Sequence, residues 1–161
     1  MAPSAVRSLA DDLWEFQLRE APSWATFVGD TRWNDRLEER GPAARERRLS
    51  AAKAFLSRAE AVPAAGLDEE DGITLAVLRR VLAETVESFR HRAWEWDFNQ
   101  LSGLHVELQD LLAFHPVDTE KGVEDLLARL EAAPRAFAEL RGDLEDGMRS
   151  GRVLPRVAHA R

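Results

Sequence analysis

A chain of 161 residues, 45% hydrophobic and 32% charged, is predicted to form one domain over 1–161, large enough to bury roughly 70% of the surface it exposes when unfolded. A formal charge of −7 argues against nucleic acid, and the absence of Cys excludes disulfides and thiolate metal sites. No run approaches the roughly 20 apolar residues of a membrane span, and charges at Arg7, Asp11, Asp12 and Glu15 interrupt Met1 to Phe16, so no apolar signal core is present and a cytoplasmic location is expected.

In chain order, the spacing of Val6, Leu9, Leu13 and Phe16 predicts a first helix capped by Ser4 and broken by Pro22. The tract PSWATFVGD reads as a short helical turn closed by Gly29, followed by polar loop from Asp30 to Gly41. Pro42 suits a first helical position, and the helix it opens is expected to bury Leu49, Ala52, Phe55, Leu56 and Ala59 before Pro63. Asp68 then caps a helix whose apolar positions are Ile73, Val77, Leu78, Val81, Leu82, Thr85 and Phe89. Ala93 to Ser102 departs from the helical period. Trp94, Trp96 and Phe98 alternate there, but no second clear strand is available to pair with, so an ordered loop or helix end is the reading.

Helical spacing returns from Gly103, with Leu104, Leu108, Leu111 and Leu112 read as buried, and ends at His115-Pro116. Two further helices are predicted from about Thr119 to Ala132 and from Pro134 to Ser150, hinged at Ala133-Pro134 and stopped by Gly151. Val123, Leu126, Leu127, Leu130, Phe137, Leu140, Leu144 and Met148 fall on one stripe that requires burial. The sum is an all-α, antiparallel helical bundle of six or seven helices.

The chemistry-bearing residues are sparse. His91, His105, His115 and His159 form no His-Glu-x-x-His, the pattern that sets two imidazoles one helical turn apart around a base, so surface or capping roles are the simpler reading. The acidic pairs Asp11-Asp12 and Glu69-Glu70, and the group of Asp143 with Glu145-Asp146, suit solvated helix faces, and no phosphate loop or nucleophile elbow is present. Trp24 is expected to pack the short helix against its neighbours. Trp94 and Trp96 precede Asp97 to Gly103, where aromatic surface, amides and a glycine share an irregular segment of the kind that contacts ligands.

Three tracts, LREAPSWATFVGDTRWNDRLEE, NQLSGLHVELQDLLAFHPVDT and VEDLLARLEAAPRAFAELRGDLEDGMRSGRVLPR, resemble in order and spacing the N-terminal portion of the bacterial family called domain of unknown function 885. The resemblance runs from about Leu9 to Arg156. Full-length members resemble thermostable Taq-type zinc carboxypeptidases, with a mainly helical metallopeptidase-like fold and a His-Glu-x-x-His helix in their later half. The resemblance therefore implies zinc only in such full-length members, no cofactor and no catalytic or metal residue in this chain, and a wall or lid role for its helices over a substrate groove. Trp96, Asn99, Gln100 and Gly103 are the substrate-contacting residues it suggests.

On this reading the chain is truncated relative to the family and inactive alone. Its partners would be the C-terminal catalytic half or a partner chain, with homodimerisation another way to hide exposed apolar surface. The alternative is a stand-alone, non-enzymatic helical module binding a peptide or small molecule, and a weaker one is a metal-free enzyme using Asn99 and Gln100.

Overall fold

The computed structural model describes residues 4–99 and 101–155. Among them are six α-helices and no strand: α1 (Ala5–Glu20), α2 (Pro22–Phe27), α3 (Pro42–Ala61), α4 (Glu69–Ser88), α5 (Leu104–Phe114) and α6 (Glu120–Ser150). The all-α expectation is met. Single 3-10 turns occupy Thr31–Trp33, Phe89–His91 and Ala93–Glu95. The chain divides into two compact units, the first from Met1–Gln17 with Pro42–Arg92 and the second from Leu18–Gly41 with Ala93–Arg161.

In the first unit, Ser4 caps α1 by accepting from the Arg7 amide at 3.1 Å, and Asp68 caps α4 by accepting from the Asp71 amide at 2.8 Å. Each relieves a helix-start donor that has no intrahelical partner. Val6, Leu9 and Leu13 of α1 meet Ala59 of α3 and Leu75, Leu78 and Leu82 of α4 in one buried cluster. Each leucine sealed there contributes about 1.5–3 kcal/mol. Of the expected α4 positions, Leu78 and Leu82 pack as read, but Ile73, Val77 and Val81 are exposed and Leu75, not expected, completes the buried stripe. Arg79 closes the end of α3, its Nε donating to the Ala59 carbonyl at 3.0 Å and Nη2 to that of Val62 at 2.7 Å. A cation suits the negative end of a helix.

In the second unit, α6 overturns two expectations. It is one helix of 31 residues running through Pro134, where a hinge between two helices was predicted. Proline removes the hydrogen bond to the carbonyl four residues earlier. Here Pro134 and Leu130 are both exposed, so the carbonyl left over lies on a watered face where the loss is tolerated. Thr119 caps the start by accepting from the Gly122 amide, and Gly151, at φ 75°, ends it in the left-handed conformation.

The second correction concerns which face is covered. Gly122, Asp125, Arg129, Ala136, Leu140, Asp143 and Gly147 form the buried side, whereas Val123, Leu127, Leu130, Phe137 and Met148 of the predicted stripe are exposed. Of the predicted stripe, Leu140 is buried and Leu126 and Leu144 are half-buried, so the stripe overlaps the covered face along one edge and its other five residues lie beside it. Small and hydrogen-bonding residues win the covered face because the backbone approaches it closely. A side chain at Gly122 would stand 2.4 Å from the Pro116 carbonyl, and one at Gly147 would stand 2.3 Å from that of Glu95. Leu104 of α5 packs on Ala136 and Leu140, joined at the margin by Leu108 and Leu144, while Leu112, read as buried, is exposed.

Candidate functional site

The segment between α1 and α3 holds only the short α2 and one 3-10 turn, and a single side chain of α6 supplies much of what fixes it. Arg129 is 0% exposed. Its Nη2 donates to the Pro22 carbonyl at 3.0 Å, to Thr26 Oγ1 at 2.7 Å and to the Trp33 carbonyl at 3.1 Å, and its Nε donates to the Arg36 carbonyl at 2.8 Å. Burial pushes the guanidinium pKa down, while the charges of Glu38, Asp125 and Asp35 hold it up. The fork of a guanidinium is the one side chain that can feed so many acceptors at fixed angles.

With that segment held, a cavity of about 610 Å³ opens in the second unit, lined by Ser23, Trp24, Phe27, Glu38, Arg40, Glu107, Asp110, Ala113 and Phe114. Its apolar wall is made of three rings. Trp24 stacks on Phe27 with centroids 5.3 Å apart, and Phe27 meets Phe114 edge-on at 5.6 Å. Trp24 is therefore a half-exposed cavity wall, correcting the expectation that it simply packs its helix against its neighbours.

The polar side of the cavity is held in place by its own contacts. Both oxygens of Glu38 accept from Ser23, one from the amide at 2.9 Å and one from the hydroxyl at 3.0 Å, which ties the start of α2 to the incoming loop. Arg40 pairs with Glu107 on α5, and its amide donates to Glu139 of α6 at 2.6 Å. Burial raises the Glu107 pKa, the Arg40 charge opposes this, and the nearby carboxylates of Glu38 and Asp97 push it further up.

The residues picked from sequence lie elsewhere in the same unit. Asn99 is half-buried and its side chain closes a turn, with Oδ1 accepting from the Leu101 amide at 2.9 Å and the Ser102 amide at 3.1 Å, and Nδ2 donating to Ser102 Oγ at 2.7 Å. Gly103 is buried at the start of α5 with φ 118°, a conformation natural to glycine, and a side chain there would stand 3.2 Å from the Asp97 carbonyl. Trp96 is half-buried, and Gln100 lies outside the described residues. The loop reading of this tract holds among the described residues, since after the 3-10 turn none of them before Leu104 is in a helix or strand.

The histidines separate by environment. His115, expected at the surface or as a cap, is the C-cap of α5 but is 5% exposed, with Nε2 against the Gly122 carbonyl at 2.9 Å and Nδ1 against Arg129 at 2.9 Å. Both nitrogens are thus committed. His105 packs on Phe98 with centroids 4.4 Å apart, His91 is exposed, and His159 lies outside the described residues. Among the described residues no group of three or more His, Asp or Glu is placed to hold a metal.

The family model described as bacterial protein of unknown function, DUF885, matches residues 22–161, and the chain belongs to that family. No curated protein matches it. No helix among the described residues is long and apolar enough to cross a membrane.

Proposed function

We propose that this chain is the helical framework and cleft wall of a metallopeptidase-like protein related in fold to thermostable zinc carboxypeptidases, and that the catalyst is contributed by another polypeptide segment. The observation that carries this reading is the exposed stripe of α6. Val123, Leu127, Leu130, Phe137 and Met148 are between 39% and 72% exposed. A run of large apolar side chains on one long helix is the surface expected of an element that has a further layer to meet. Family membership and the all-α architecture support the same reading. In it, Trp96, Asn99, Gln100 and Gly103 belong to the loop that faces substrate, with the Asn99 side chain shaping the turn.

The test is reconstitution. The purified chain is assayed for bound zinc and for peptide hydrolysis, alone and mixed with the His-Glu-x-x-His segment of a full-length family member. Activity only in the mixture, abolished by Leu127→Glu with Leu130→Glu, is the expected result. Stoichiometric zinc and cleavage by the chain alone would overturn the proposal.

A second reading, a non-enzymatic module that binds a peptide or small molecule, is favoured by one observation, the ring-walled cavity between α2 and α5.

A further inference from the structure

The cavity has a chemical bias that its volume does not convey. Three carboxylates, Glu38, Glu107 and Asp110, line it against one guanidinium, Arg40, and that guanidinium is already paired with Glu107. The rings of Trp24, Phe27 and Phe114 line it as well. Ring faces attract cations and repel anions, and an excess of carboxylate adds to the same preference. A volume of about 610 Å³ lies within the roughly 300–1,000 Å³ typical of small-ligand pockets. Asp110 and Phe114 stand one turn apart on α5, and Glu38 is bound to Ser23 next to Trp24, so acids and rings adjoin and a ligand with one charged and one apolar end meets both.

We infer that this cavity binds a primary ammonium carrying an aromatic or large apolar group, the ammonium set among Glu38, Glu107 and Asp110 and the apolar group against Trp24, Phe27 and Phe114. The inference rests on the cavity being a binding site and is independent of the framework role. Burial, and after it the charges of Glu38 and Asp97, raise the Glu107 pKa, and a cation seated there would offset that repulsion. Two sources present this chemistry, a free aralkyl amine and the N-terminal residue of a peptide.

The experiment is a titration followed by NMR, using 2-phenylethylamine, its neutral isostere 2-phenylethanol, the anion 3-phenylpropanoate, and the dipeptide Phe-Ala amide with and without N-acetylation. Tighter binding of the amine than of the alcohol, by about tenfold, is expected from a partly desolvated cation over rings. The anion should bind most weakly. N-acetylation should abolish dipeptide binding if a peptide terminus is the ligand, whereas binding of the amine without the dipeptide assigns the site to free amines. Phe27→Ala, at a 62% exposed position, should weaken the amine, and Glu107→Gln should reduce the preference over the alcohol. Equal binding of amine and alcohol would overturn the charge selectivity and leave a binding cavity standing. Binding of none of the probes would overturn both.

Discussion

Arg129 Nη1 stands 2.9 Å from His115 Nδ1, and because a guanidinium can only donate, that nitrogen is the acceptor and the imidazole carries its proton on Nε2, facing the Gly122 carbonyl. One charged side chain thus fixes the tautomer of another while feeding the carbonyls of Pro22, Trp33 and Arg36. Replacing Arg129 by Ala strips donors from several buried acceptors at once, each costing about 1–3 kcal/mol when left unsatisfied. Arg129→Ala is expected to lose on the order of 3 kcal/mol or more in denaturant unfolding. Arg129→Lys recovers little of it, since a single ammonium cannot reproduce the fork. Full stability in the Lys variant would contradict the assigned role.

Glycines inside α6 differ in what surrounds them. Nothing lies within 4 Å of a side chain built at Gly142, whereas one at Gly147 meets the Glu95 carbonyl at 2.3 Å and the Arg152 carbonyl at 2.7 Å. Gly142→Ala should raise stability by about 0.5–1 kcal/mol, the ordinary gain in a helix interior. Gly147→Ala should lower it by at least about 1–3 kcal/mol, because the atoms met are backbone. Paired thermal melts read the difference in sign.

Burial and the flanking acids raise the Glu107 pKa in the folded chain. Between its unfolded and folded pKa values the native state therefore holds more protons than the unfolded one, and this group's contribution to stability falls as pH rises through that window. Glu107→Gln mimics the protonated form at every pH. The stability of the variant relative to the parent should be greater at pH 7 than at pH 4, and melting curves at both values test the sign.

Leu140, 5% exposed, and Leu127, 54% exposed, share one helix and part company energetically. Leu140→Ala should cost about 2–5 kcal/mol through the cavity it leaves. Leu127→Ala should stay within about 0.5 kcal/mol for the isolated chain. A large loss at Leu127 would mean that its face is covered in solution.

Local rules carried most of the helix boundaries. Ser4, Asp68, Pro42, Gly29 and Gly151 act through their own neighbours, and each stands at the end it announces. Periodicity was less informative about which side is covered. Leucine and valine at helical spacing define a face, but α6 buries its glycines, Arg129 and Asp143 because backbone and carbonyls crowd there, and no residue spacing encodes that. Proline at position 134 suggested a break, and the exposure of its side of the helix removed the reason for one. The cavity was illegible because its residues come from 23–40 and 107–114, and nothing in either tract shows that they converge. The aromatic pair Trp24 and Phe27, three positions apart on a short helix, was the one signal that pointed there.

The stretch from Pro22 to Arg36 receives donors from a residue 93 to 107 positions further along the chain. Ribosomal synthesis therefore delivers the lock long after the parts it fastens, and those carbonyls stay with water until α6 has emerged. The Trp24 and Phe27 side of the cavity thus depends on a residue made after both rings.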